Sequence, residues 1–125
     1  MDRDFQEDDG IVKFSESLKK NHQFQFVYRN GKSYANKYMV MYVLENGTEG
    51  NRIGISVSRR VGNSVVRHRI TRLLREIYRL QEAMFNSGLD IVIVARPSAA
   101  SAVYQEMENA LLHLGKLHHI ISKKV

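Results

Sequence analysis

The sequence predicts a single α/β domain of the α+β kind, with helices packed on a small mixed sheet. Three observations carry that reading. Residues 52–58 alternate apolar with small or polar side chains, and residues 90–96 form a nearly continuous apolar run, both at strand length. Residues 66–80, between them, repeat their apolar side chains at helical spacing. The chain has 125 residues and 43% apolar content, enough for one core, and no repeat or linker divides it. The predicted element order is αββ(β)αβα.

The first helix is predicted over residues 22–28, with Asn21 as N-cap and Gly31 as its stop. Phe24, Val27 and Tyr28 share one of its faces. Residues 37–44, KYMVMYVL, read as a strand. Tyr38, Val40, Tyr42 and Leu44 point one way and Met39, Met41 and Val43 the other. Both faces are apolar, so this strand is covered on both sides or borders a groove. Residues 45–51, ENGTEGN, carry an Asn-Gly turn signal that predicts a hairpin into the next strand.

In that next strand Ile53, Ile55 and Val57 face inward. The opposite face, Arg52, Gly54, Ser56 and Ser58, is small and hydroxylic, so something can approach the backbone closely there. Residues 90–96 read as a buried central strand that Pro97 ends. Ser98 or Ser101 is the expected cap of a last helix, with Met107, Ala110, Leu111, Leu114 and Leu117 as its apolar stripe. The strand at 53–57, the long helix and the strand at 91–95 can form a βαβ unit, which the general rule makes right-handed.

The net charge of +6 hides an asymmetry. Residues 1–16 hold six acids and two bases, a balance of −4, which leaves +10 on the rest. Residues 1–13 therefore read as a disordered acidic leader and residues 14–125 as a basic domain. There is no cysteine, hence no disulfide frame and no thiolate metal site. With no membrane-length apolar run and no signal peptide, a cytoplasmic protein is expected.

The positive charge concentrates in RRVGNSVVRHRITRLLREIYR, residues 59–79, which hold seven arginines and one acid, Glu76. Asn63 or Ser64 can cap the helix. On a wheel of about 100° per residue, Val66, Ile70, Leu73, Leu74, Ile77 and Leu80 share one broad face. His68, Arg72, Arg75 and Arg79 form a stripe opposite, flanked by Arg67 and Arg69. An ordinary exposed helix alternates Glu with Lys, because opposite charges one turn apart support each other. This one does not. Guanidinium groups fork to phosphate oxygens, so the stripe suits a polyanion with phosphates along its length.

Catalytic groups of the chain's own are not recognisable. Outside the leader the acids are scattered, and Glu106 and Glu108 stand two apart on a helix, on different faces. Asp90 reads as a turn or backbone acceptor. His118 and His119 sit near a helix end, where cations favour the dipole. No phosphate loop, nucleophile elbow or zinc spacing appears. The pattern is that of a binder. Phe24, Tyr28, Tyr38 and Tyr42 can stack on bases beside a basic groove, although core packing accommodates each as well.

Three segments carry a family resemblance. GISVSRRVGNSVVRHRITRLLRE resembles the characteristic arginine-rich segment of the bacterial ribonuclease P protein subunit, LKKNHQFQFVYRNGKSYAN its first helix and following loop, and DIVIVARPSA its last strand and turn. The resemblance implies a subunit that pairs with a large catalytic RNA, whose Mg²⁺ ions hydrolyse precursor tRNA to release the 5′ leader. The protein then helps to bind the leader and raises effective metal affinity. It also implies a left-handed βαβ crossover, against the general rule. The family's arginine-rich motif falls on Arg59, Arg60, Asn63, Arg67, His68, Arg69, Arg72 and Arg75; Arg79 extends the same stripe. The leader cleft, between the first helix and the sheet, falls on Phe24, Tyr28 and Tyr42, whereas Tyr38 has no such match. His68 and Thr71 depart from the family pattern, which usually has Asn and Lys there. The expected partners are the catalytic RNA and precursor tRNA, without DNA or membrane. The alternative is a ribosomal or general structural RNA-binding protein on a similar sheet.

Overall fold

The computed structural model describes residues 15–122. The acidic leader and the basic end at Lys123 and Lys124 lie outside them. Five strands, β1 (Ser15–Ser17), β2 (Lys32–Ala35), β3 (Met39–Glu45), β4 (Asn51–Ser56) and β5 (Leu89–Ala95), form one mixed sheet in the order β1-β4-β5-β3-β2. Three helices, α1 (Asn21–Asn30), α2 (Ser64–Gln81) and α3 (Tyr104–Leu117), cover it, with short 3₁₀ turns after α2 and β5.

The strand at 90–96 is central, as its apolar run requires, and pairs parallel to β4 and antiparallel to β3. β4, α2 and β5 thus form the expected βαβ unit. The expected hairpin between β3 and β4 does not form, because β5 lies between them. The Asn-Gly signal is used differently. Asn46 Oδ1 accepts from Thr48 N at 2.9 Å, its Nδ2 donates to Asp90 Oδ1 at 3.0 Å, and its backbone N donates to Gly88 O at 2.9 Å. The loop is tied to the start of β5, so the two strands diverge around it.

Alternation along the strands gives the sheet two faces. Met39, Met41, Ile53, Ile91 and Ile93 face α2 and α3, where they are buried with Ile70, Leu74, Ile77, Met107, Leu111 and Leu114. Tyr78 is also fully buried there; its hydroxyl bonds to Ser15 Oγ at 2.9 Å and lies 3.3 Å from Asn51 Nδ2, fastening the β1 edge to α2. Leu80 and Leu117, expected at the ends of apolar stripes, are instead 53% and 37% exposed, beyond the reach of the sheet.

Helix ends differ in detail from expectation. Lys20, not Asn21, is the N-cap of α1, and Gln23 Oε1 accepts from its backbone N at 3.0 Å. Gly31 does stop α1, but at φ −86. Its role is clearance, since a Cβ there would stand 2.8 Å from Val27 O and 2.9 Å from Val43 O. Neither Ser98 nor Ser101 caps α3; Val103 does, its backbone N donating to Glu106 Oε1 at 3.0 Å. At the other end, His118 Nε2 lies 2.8 Å from Met41 O and the ring meets Tyr34 edge-on, which joins α3 to the sheet. Burial holds this imidazole below its usual pKa, against the opposing pull of the Met41 carbonyl.

Candidate nucleic-acid interface

Asn63 caps α2, its Oδ1 accepting from Val66 N at 3.0 Å. No acid occupies the first turn, although the helix dipole favours one. Arg67 lies there instead, its Nε donating to Gly62 O at 3.1 Å. A helix N-terminus that carries arginine rather than carboxylate is arranged for an anion. Arg59, Arg60, His68 and Arg72 are exposed, with no side-chain partner among the described residues. Arg69 is exposed but anchored, Nη2 donating to Ala100 O at 2.9 Å. Arg75 Nη1 donates to Ser17 Oγ at 2.9 Å.

Arg79 differs from the others. Its Nε and Nη2 grip Glu76 Oε1 and Oε2 at 3.1 and 2.8 Å, and this carboxylate raises its pKa. Paired charge attracts phosphate weakly, so the available stripe runs from residue 59 to residue 72 and fades toward the C-terminal end of α2.

The second feature lies on the other face of the sheet. Leu18, Val92 and Val27 of α1 are buried between that helix and the sheet, with Phe24, Tyr28, Tyr42, Leu44 and Val94 packed around them. Tyr28 meets Tyr42 edge-on at 4.9 Å between centroids, and Phe24 lies 6.5 Å from Tyr28. All three rings are half-buried. The close approach expected over Gly54 is made by Phe24 itself, whose ring would lie 2.8 Å from a Cβ there. The three expected cleft residues are therefore neighbours on one wall. Tyr38 is not among them; it packs with the opposite core, under the Lys37 ammonium at 5.3 Å.

Strand register supplies the floor. Ser56, Val94 and Val40 stand abreast on this face, one step beyond Gly54, Val92 and Tyr42. They are half-buried, because α1 reaches only the earlier row. From the sequence, Val40 has a face with Tyr42, and Ser56 lies on a small, hydroxylic one; that they share a groove floor with Val94 requires knowing that β5 sits between β3 and β4. At this end of the sheet β4 leads into Arg59 and Arg60, β5 into Arg96, and β3 begins after Lys37, all four exposed. The groove thus opens onto the arginine stretch.

Several of the described acids are engaged elsewhere. Asp90, almost wholly buried, accepts from Arg52 Nε at 2.9 Å and Nη2 at 2.7 Å as well as from Asn46, so it is an ion-pair acceptor rather than a turn or backbone acceptor. Glu108 Oε2 accepts from Gln81 at 2.8 Å. Among the described residues no group of three or more His, Cys, Asp or Glu could hold a metal, and no helix is long and apolar enough to cross a membrane.

A family model described as Ribonuclease P matches residues 12–118. The chain belongs to the ribonuclease P protein family. The ribonuclease P protein component of Lachnoclostridium phytofermentans is 64% identical over 108 residues, 86% of this chain and 93% of that one. That of Alkaliphilus metalliredigens is 50% identical, over 84% of this chain and 95% of that one. Among solved structures, the Staphylococcus aureus RNase P protein superposes with a TM-score of 0.78 at 34% identity, covering 85% of this chain and 97% of its own. The Thermotoga maritima RNase P protein gives 0.74 at 29% identity, covering 81% and 96%. The mixed α+β architecture read from the sequence is that of these ribonuclease P proteins.

Proposed function

We propose that this chain is the protein subunit of a ribonuclease P ribonucleoprotein, and that it assists removal of the 5′ leader from precursor tRNA. One observation supports the reading above the others: a half-open aromatic groove and an arginine-rich stretch meet at one end of the sheet. Single-stranded RNA needs a base-stacking wall beside cations for its backbone. Folded RNA needs guanidinium groups spaced along an exposed rod. This fold presents both side by side.

The geometry supports a division of labour. Arg59, Arg60, Asn63, Arg67, His68, Arg69, Arg72 and Arg75 hold the catalytic RNA through its phosphates, with Arg79 contributing least. Phe24, Tyr28 and Tyr42, above Val40, Val94 and Ser56, hold the leader. The protein thereby fixes the substrate's single-stranded end relative to the catalytic RNA. The described acids are too dispersed to fit a Mg²⁺ site on this chain, so we assign the ions that drive hydrolysis to the RNA subunit.

Reconstitution at low Mg²⁺ tests the proposal. Precursor tRNA with a labelled leader is mixed with protein alone, catalytic RNA alone, or both. Cleavage at the mature 5′ end that requires the mixture is expected. Cleavage by protein alone would overturn the assignment of catalysis to RNA. No gain from the protein would leave a structural RNA-binding protein with another partner.

A further inference from the structure

Helix α1 divides the open face of the sheet into two troughs. It starts beside Ile53, whose carbonyl accepts from Leu18 N at 2.9 Å, and ends at Gly31 against Val43. Ile53, Ile91 and Val43 stand abreast in the sheet, so α1 crosses it along that row. Phe24 over Gly54 and Tyr28 against Tyr42 occupy the flank toward Ser56 and Val40. Residues two apart on a helix diverge by about 160°. Phe26 therefore stands on the other flank, above the row of Arg52, Asp90 and Leu44, and it is 56% exposed.

A lone exposed phenylalanine is ordinary. The setting of this one is not. α1, NHQFQFVYRN, contains no acid. His22 precedes Phe26 by one turn and Arg29 follows it by one, both exposed on the same flank. Lys19 and Lys20 lead into the helix and Lys32 follows it, all exposed. An aromatic face amid the helix's own cations complements a nucleic-acid single strand, and Asp90 in the row beneath is held by Arg52. It is also continuous, across the width of one helix, with the leader groove.

We propose that Phe26 is a second stacking station for single-stranded RNA. A leader that has filled the groove crosses over α1, stacks a base on Phe26, and lays its phosphates beside His22 and Arg29. This rests on the leader-binding reading of the groove. Two consequences follow. The station acts only on leaders long enough to cross the helix, whose diameter is about 10 Å. It is also indifferent to base identity, since every base has a stacking face.

The test is holoenzyme affinity for precursor tRNAs whose leaders lengthen one nucleotide at a time. Phe26→Ala should match the unaltered holoenzyme on short leaders and fall behind on long ones, by about tenfold. Phe26→Tyr should restore the affinity and Phe26→Leu should not. Phe24→Ala, run alongside, should lose affinity from shorter leaders onward. A Phe26→Ala loss independent of leader length, or no loss at any length, would overturn the second station. If Phe24→Ala loses affinity while Phe26→Ala does not, only this inference fails. If neither does, the groove reading fails with it.

Discussion

The two faces of the sheet are built by the same strands but covered differently. Beneath α2 and α3, Met41, Ile91, Ile93, Leu74 and Leu111 are wholly buried. On the α1 side, Val27 and Val92 are wholly buried and Leu18 nearly so, while Tyr42, Val40 and Val94 stay half-open. One ten-residue helix cannot roof a five-stranded sheet. The apolar surface it leaves uncovered costs folding free energy and offers a single strand a place to bind. The sealed face holds the fold, and the open face with the adjoining arginines is the one we propose for RNA.

Substitutions can break that contrast, and the largest effects concern stability. Arg52→Ala would leave the nearly buried Asp90 carboxylate without its guanidinium, at a cost of about 3–5 kcal/mol in denaturant unfolding. Asp90→Ala leaves an arginine that can rehydrate, and should cost less, about 1–3 kcal/mol. Equal costs would mean that burial of the carboxylate does not govern the pair. On the sealed face Leu74→Ala should cost about 2–5 kcal/mol, against about 1 kcal/mol for Val94→Ala on the open one. Comparable losses would show the open face to be core.

Binding comes next in size. Arg72→Ala should weaken RNA association and lower the slope of log affinity against log salt by about 0.7–0.9. Arg79→Ala should change that slope less, because Glu76 already neutralises it, and Glu76→Gln should steepen it. The smallest effect concerns pH. Burial lowers the pKa of His118 from its ordinary 6.5, so the fold favours the neutral ring. Its stabilising contribution is present above that value and is lost as pH falls through the lowered folded value. Unfolding free energy should therefore drop on acidification below pH 6.5, and His118→Gln should flatten the drop.

Local signals made much of this legible. Helix α2 could be read because apolar spacing and the Asn63 cap agree, and β5 because a strand covered on both faces needs no alternation. Apart from the helix caps, the failures have a common physical cause, since they concern contacts distant in sequence. Asn46-Gly47 looks like a hairpin turn until Asp90 and Gly88 claim its polar groups. β2, KSYA, is too short and mixed to announce itself and exists by pairing with β3. Tyr78 lies outside the periodic list yet is buried, because Ser15 and Asn51 meet its hydroxyl. The groove walls were legible through family resemblance. The floor of Val40, Val94 and Ser56 appears only when three strands are set in register.

The most direct test compares Tyr42→Ala and Arg72→Ala holoenzymes on precursor and mature tRNA. Tyr42→Ala should lower affinity for precursor relative to mature tRNA by about tenfold, a single stacked base, with association of the catalytic RNA unchanged. Arg72→Ala should weaken association of the catalytic RNA and leave the precursor-to-mature ratio intact. Equal weakening of both tRNAs by both variants would contradict the division between an open, leader-holding face and an arginine helix that holds the catalytic RNA.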